Sequence, residues 1–384
     1  MRSFQLTQKN MKDLAERFPT PFLVASLDKI EENYEFLRKH LPRVRIFYAM
    51  KANPAVSILE RLDKLGAHSD VASAGEMEFL QRMGISGEHM IYANPVKTPQ
   101  GLACAAKAGV QRFTFDDESE VAKMAAAVPG AEVLVRICVV NQKALVDLNT
   151  KFGVVPQKAL QLLQLAQAAG LKPGGVCFHV GSQSLSAEAY EEALLVCRRI
   201  FDDAAAIGMN LSKLDIGGGF PVPSTAELPV APADIMDAIQ RQLDRLFPDT
   251  EVWAEPGRFL CGTAVNLVTS VIGTKRRNGQ EWYVLDEGLY GSFSGIIFDH
   301  WHYKMEFFQH GPLYASAFVG PSCDSIDVIE SNIMAPKLAI GDTILVTDCG
   351  AYTSASATTF NGFQRAPMLV WEEQKSCRVE TAVS

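Results

Sequence analysis

The first residue able to do chemistry is a lysine that ends an apolar run, Lys51 in Tyr48-Ala49-Met50-Lys51-Ala52-Asn53-Pro54. Burial there would disfavour its ammonium and lower its pKa, which frees an amine to form a Schiff base with an aldehyde. Read alone, it is more simply a lysine whose head snorkels to water at a strand end. Gly217-Gly218-Gly219 follows Leu214-Asp215-Ile216 and leaves backbone N–H groups that a phosphate can approach. The run fits neither GxGxxG nor a P-loop, and in isolation it is a turn. Glu255-Pro256-Gly257-Arg258 sets a carboxylate and a guanidinium three residues apart, by itself an ordinary ion pair. His179 in Phe178-His179-Val180-Gly181-Ser182 is by itself a satisfied core histidine. Together they fit pyridoxal 5'-phosphate (PLP), which needs a lysine for its aldehyde, donors for its phosphate and a carboxylate to keep its ring nitrogen protonated. His179 would stack on that ring, and Ser182 would add a phosphate hydrogen bond.

The elements that position these residues show as a repeating unit. Eight short β-rich runs recur, at Arg45 to Met50, His68 to Ser73, Met90 to Pro95, Arg112 to Asp117, Val133 to Val139, Val176 to Gly181, Lys213 to Gly218 and Val252 to Gly257. Between them lie segments with apolar residues at helical spacing, such as Ala55 to Leu65, Gly75 to Met83, Glu118 to Ala127, Pro156 to Ala169 and Ala187 to Ile207. Strand number alone supports either a (β/α)8 TIM-like barrel or an open doubly wound sheet. The barrel is favoured because Lys51, Asp70, Asn94, Asp116, Arg136, His179, Gly217 and Glu255 all fall at or just past successive strand ends, the catalytic face of a barrel.

After about Cys261 the pattern changes to successive strands with few helices: Ala264 to Gly273, Trp282 to Asp286, Tyr314 to Val319, Thr343 to Thr347 and Pro367 to Trp371. This predicts a C-terminal antiparallel β domain, with Phe22 to Ser26 as an early strand able to join it. The expected division is residues 28–262 as barrel, with residues 1–27 and 263–384 as the β domain.

Composition narrows the function classes. The chain has 384 residues, 48% of them hydrophobic, enough for a large core. It has no apolar run of membrane length and no signal peptide, so a cytoplasmic location is expected. A net charge of −8 with dispersed basic residues argues against nucleic acid. The eight cysteines (104, 138, 177, 197, 261, 323, 349 and 377) form no CxxC pair, so neither a metal site nor a disulfide framework is indicated.

Five motifs taken together, Tyr-Ala-Met-Lys-Ala-Asn (48–53), His-Val-Gly-Ser (179–182), Asp-Ile-Gly-Gly-Gly-Phe-Pro (215–221), Glu-Pro-Gly-Arg (255–258) and Gly-Pro-Ser-Cys-Asp (320–324), resemble the fold type III PLP-dependent basic amino acid decarboxylases. The resemblance spans nearly the whole chain in the family's order. Within that group, Thr20 to Val24, Phe113 to Asp117 and Leu148 to Gly153 resemble the bacterial lysine/ornithine decarboxylases.

The resemblance implies Lys51 as the Schiff-base lysine, Glu255 as the partner of the ring nitrogen and His179 as the stacking ring. Ser182, Gly217, Gly218, Gly219, Gly257, Arg258 and Tyr352 would hold the phosphate, with Asp70 and Arg136 supporting cofactor and lysine. It also implies a homodimer with shared active sites, in which Cys323 and Asp324 reach the partner's barrel and Lys151 pairs with Asp327 across the interface. Cys323 is then the acid that protonates the substrate carbon after decarboxylation, although without the motif it reads as an inert cysteine.

For the substrate, Asp299 and Asp324 match the family positions that meet a distal ammonium, which implies ornithine or lysine. Diaminopimelate decarboxylases carry Cys-Glu-Ser-Gly where this chain has Cys323-Asp324-Ser325-Ile326. Arginine is disfavoured because its decarboxylases in this family are generally longer. Ornithine and lysine differ by one methylene, ~1–3 kcal/mol in a pocket, so dual use is expected. Departures that bear on specificity are Ser325 for a usual glycine, Phe298 for a frequent tyrosine, and the varied Val44-Arg45-Ile46. A racemase would need a second catalytic tyrosine and would lack the Cys323-Asp324 loop. A non-catalytic decarboxylase-like binding protein would have lost cofactor residues that this chain keeps.

Overall fold

A computed structural model describes residues 2–139, 151–222, 230–372 and 375–380, with side chains left undescribed at 372 and 375–378. Of the Leu148 to Gly153 motif, residues 148–150 lie outside the described residues, and so does the Cys377 side chain.

Strand β1 is Phe22–Ser26, and eight parallel strands then close into a barrel in chain order: β2 Val44–Ala49, β3 His68–Val71, β4 Met90–Tyr92, β5 Arg112–Phe115, β6 Glu132–Ile137, β7 Lys172–Phe178, β8 Lys213–Asp215 and β9 Glu251–Ala254. Closure is between β2 and β9, with Val44 opposite Val252. The strands are apolar on both faces because helices cover one side and the barrel interior the other. Phe47, Ile91, Leu134, Cys177 and Trp253 form an interior cluster, with Trp253 fully buried.

Each barrel strand ends one to three residues before the apolar run predicted from sequence. After β2, β3, β4, β7, β8 and β9 the residues that follow leave the ladder and line the site, so the pattern extends beyond the pairing. Helix starts follow local chemistry: Ser73, Thr98 and Asp117 accept from backbone N–H groups ahead of Ala74–Arg82, Pro99–Ala108 and Glu118–Ala127. Proline opens Pro156–Ala168 and Pro232–Leu246, where its missing N–H goes unneeded.

Beyond the barrel lie β10 Val265–Arg277, β11 Gln280–Leu285, β12 Lys304–Glu306, β13 Leu313–Val319, β14 Val328–Pro336, β15 Thr343–Thr347, β16 Met368–Glu372 and β17 Lys375–Val379. They form a sheet ordered β14-β13-β11-β10-β1-β16-β17, with β15 on β10 and β12 on β15. The antiparallel expectation needs correction, since the sheet is mixed. β1 runs parallel to β16 and β11 parallel to β13. Parallel neighbours need long crossovers: between β1 and β16 lie the whole barrel and β10 to β15, and between β11 and β13 lies the segment from Asp286 to Pro312 that carries β12. As expected from sequence, Phe22 to Ser26 joins this sheet, between β10 and β16. No helix among the described residues is long and apolar enough to cross a membrane.

Candidate active site

The barrel strands deliver Lys51, Arg136, His179, Ser182, Gly219, Glu255, Gly257 and Arg258 to one cavity of about 330 Å³, whose wall also includes Asp299 and Tyr352 from the segments beyond the barrel. Lys51 sits in the 3-10 turn Met50–Ala52 that follows β2. Its ammonium lies 2.7 Å from Asp70, an acid only 1% exposed at the end of β3. Burial pulls the Lys51 pKa down, but Asp70, Tyr352 and Glu255 together outweigh it and leave it raised. This reverses the sequence expectation: carboxylates around the lysine win over desolvation, and the resting side chain is a paired ammonium.

Burial, with Arg136 and Lys51 beside it, lowers the His179 pKa to about 3, so the imidazole is neutral at working pH. Its Nδ1 accepts from the Gly181 N–H at 3.0 Å, which places the ring proton on Nε2. A neutral, fixed ring can stack on an aromatic ligand.

Glu255 and Asp215 are neighbouring buried carboxyls. Burial raises both pKa values, that of Asp215 to about 6, and repulsion from Asp215 and Asp70 raises the Glu255 value further. Two carboxyls so close cannot both ionise, so the pair carries a proton until a cation arrives. A protonated ring nitrogen facing Glu255 is such a cation.

The glycine run differs in detail from expectation. Only Gly219 of the three lines the cavity. The Gly217 N–H donates to Asp215 at 2.8 Å, so it is committed to the protein rather than free for a phosphate. Gly218 sits behind the wall, its carbonyl taking a hydrogen bond from buried Tyr190 at 2.8 Å. Gly219 has φ +97°, and a Cβ there would lie 2.2 Å from the Gly181 carbonyl oxygen. A side chain would therefore push this turn apart.

Arg258 is 6% exposed, its guanidinium over Trp301 and Tyr352 and paired with Asp299. Its Nε is buried with no partner among the described residues. A buried guanidinium N–H without an acceptor fits a phosphate oxygen, and with Lys51, His179 and Glu255 the donor set matches the aldehyde, ring and ring nitrogen of PLP. Asp299 lines the cavity but is already engaged by Arg258.

Cys323 and Asp324 are not in this cavity. Cys323 is exposed, its N–H and thiol both directed to the Asn361 side-chain oxygen at 3.1 and 3.2 Å. Asp324 accepts from the Tyr290 hydroxyl, which lowers its pKa. Asp327, 3% exposed, holds this loop by accepting from the Leu289 and Ser322 N–H groups at 2.8 and 3.1 Å. Sequence reading missed this service role for Asp327, and also Asp215 and Tyr190, because each acts through backbone groups. The seven described cysteines are free, and four of them, Cys177, Cys197, Cys261 and Cys349, are buried.

Residues 27–262 match the family model described as pyridoxal-dependent decarboxylase, pyridoxal binding domain. The chain is 64% identical to lysine/ornithine decarboxylase of Selenomonas ruminantium over 97% of this chain and 95% of that one. A crystal structure of the lysine decarboxylase of that organism in complex with PLP and cadaverine superposes with a TM-score of 0.94 at 62% identity, covering 97% and 96% of the two chains. Lysine/ornithine decarboxylase of Vibrio vulnificus, crystallised with cadaverine and with putrescine, is 37% identical with a TM-score of 0.90, covering 96% of this chain and all of that one.

Proposed function

The chain belongs to the pyridoxal-dependent decarboxylases, and from that premise we propose that it removes the α-carboxylate of L-lysine and L-ornithine to release cadaverine and putrescine. The observation that carries the proposal is the cavity in which the Lys51–Asp70 pair, neutral His179, buried Glu255 and an Arg258 Nε without a partner among the described residues converge. PLP, when bound, supplies an aldehyde for the substrate's amino group and a protonated ring that draws in the electron pair left by departing carbon dioxide.

The protein's own residues do the rest. Asp70 holds the Lys51 amine at the site and can keep its proton. His179 offers a flat neutral face for the ring, Glu255 would hold the proton of the ring nitrogen, and Arg258, Ser182, Gly219, Gly257 and Tyr352 would receive the phosphate, with Arg136 supporting the cofactor. Gly217 and Gly218 shape the turn from behind. Asp299 and Asp324 receive the distal ammonium of the substrate, whose single-methylene difference between ornithine and lysine, worth ~1–3 kcal/mol, allows both to be used. Asp299 must then share its carboxylate between Arg258 and that ammonium.

Cys323 donates the proton that replaces the carboxylate. Because Cys323 and Asp324 stand outside their own chain's cavity, the reading requires a homodimer in which this loop enters the partner's site. The segment 28–262 is read as the cofactor-binding barrel, and 1–27 with 263–384 as the part that brings the loop. The relatives named above, two of them crystallised with the diamine products, support the substrate assignment.

The test is carbon dioxide release and diamine formation by the PLP-loaded protein with ornithine, lysine, arginine and diaminopimelate side by side. Turnover of lysine and ornithine that vanishes in Lys51→Ala is expected. No release from any of the four, with PLP bound, would overturn the decarboxylase reading in favour of a binding role.

A further inference from the structure

Lys97 is among the largest fully buried side chains, 1% exposed, and the site chemistry above leaves it unused. Its ammonium donates to the carbonyl oxygens of Asn94 at 2.9 Å and Pro95 at 3.1 Å, and to that of Thr114. An ammonium has three N–H donors, and all three are spent on backbone. The Thr114 hydroxyl takes the next carbonyl, donating to Ala93 at 2.6 Å. Three successive carbonyls, those of Ala93, Asn94 and Pro95, are thereby held by side-chain donors.

Those three residues line the cavity beside Lys51 and His179. The rest of that wall is tied in the same manner, with the Asn94 amide donating to the Ala72 carbonyl at 3.3 Å and the Ala72 N–H donating to Glu76 at 2.6 Å. Lys97 is itself fixed from three sides. Its N–H donates to buried Glu120 at 3.2 Å, its carbonyl accepts from Lys123 at 2.9 Å, and its ammonium lies 5.4 Å from the Tyr92 ring centroid.

Burying an ammonium is costly, and an apolar side chain of the same length would fill the space without that cost. Burial lowers the Lys97 pKa to about 7, yet the side chain keeps three carbonyl contacts that an apolar group could not make. What they do is occupy carbonyl dipoles beside a cavity that holds the Lys51 ammonium and receives amino groups. Free carbonyl oxygens on this wall would compete with Asp70 and Asp299 for the Lys51 ammonium and for the amino groups of the substrate. We propose that Lys97 is a positioning residue of the active site, holding the Ala93–Pro95 carbonyls turned out of the cavity so that the wall facing cofactor and substrate stays apolar and fixed. Thr114 is its helper at the Ala93 carbonyl.

The inference rests on the PLP decarboxylase reading, and its test separates the two. Lys97→Met and the milder Thr114→Val are compared with wild type by circular dichroism, by spectroscopic titration of the cofactor-free protein with PLP, and by steady-state kinetics on lysine. Hydrogen bonds to a charged group are worth ~1.5–3 kcal/mol each, so Lys97→Met is expected to weaken PLP binding or raise KM by about tenfold or more while kcat changes less. Thr114→Val, which frees one carbonyl, is expected to move the same quantities by a few-fold in the same direction. Folded variants with wild-type PLP affinity and wild-type KM would overturn the inference, as would a fall in kcat alone. If Lys97→Met does not fold, Thr114→Val decides on the same criteria. A wild-type protein that neither binds PLP nor releases carbon dioxide would instead overturn the reading beneath it.

Discussion

Asp70→Asn removes the charge nearest Lys51 while keeping the side chain's shape. The wild-type nitrogen and oxygen are 2.7 Å apart, and the lysine side chain is 47% exposed. At that separation two unit charges attract by ~6 kcal/mol at an effective dielectric of ~20 and by ~1.5 kcal/mol at that of water. Half exposure pulls the true figure toward the lower end, since solvent screens the pair. One pKa unit is about 1.4 kcal/mol, so the variant's Lys51 pKa should fall by ~1–3 units.

The sign is fixed by the direction of the wild-type shift. A raised lysine pKa means that, while Asp70 is ionised, the pair stabilises the fold fully up to the ordinary lysine value of ~10.4, and that on the alkaline side this stability is lost as pH rises through the raised one. The assay is covalent loading of cofactor-free protein with PLP across a pH series, trapped by borohydride and read by absorbance and mass. Only a neutral amine attacks an aldehyde, so the midpoint of the loading rate reports Lys51, and Lys51→Ala supplies the blank. Asp70→Asn should load faster at neutral pH with a midpoint ~1–3 units lower. An unmoved midpoint would refute the claim that Asp70 holds the ammonium.

Other outcomes follow from neighbouring features. Glu287, 5% exposed, has its pKa raised by burial to about 7 even though it accepts from the Gly288 and Ser292 N–H groups. Stability from the protonated acid should be full below the ordinary glutamate value and be lost as pH rises through 7, by about 3 kcal/mol in total, and Glu287→Gln should flatten that fall in denaturant midpoints measured from pH 4 to 9. Gly219→Ala, which must open the turn against the Gly181 carbonyl, should release PLP on dialysis, seen as loss of cofactor absorbance. Because His179 is neutral, His179→Phe should retain PLP far better than His179→Ala in the same titration, and neither should introduce a pH dependence near 6.

The barrel was legible because parallel strands buried on both faces write continuous apolar runs, and Glu118–Ala127, which Asp117 caps, was predicted to the residue by its spacing. The second sheet was harder to read. β14 carries Glu330, Ser331 and Asn332 in its middle because it is an edge strand, and β12 is three residues long, so neither shows a strand pattern. The direction of β1 against β16 depends on a connection no local pattern reports. Within the site, residue types were readable but their states were not. Lys51 needed the placement of Asp70 before its charge could be told, and the Gly217 N–H needed that of Asp215. Lys97 follows an Asn-Pro turn and reads as a solvated charge, since nothing in the sequence shows that its acceptors are backbone carbonyls.

The position of β1 also bears on how the chain is made. Phe22 pairs with Val268 and Leu23 with Met368, so the strand at the middle of the second sheet leaves the ribosome first and its partners last. For the whole of barrel synthesis this five-residue apolar segment, Phe-Leu-Val-Ala-Ser, has no sheet to enter. Such a segment is open to mispairing with another nascent copy until the last third of the chain arrives. The completed barrel, by keeping the start of the chain close to where the later strands emerge, shortens the search that ends that exposure.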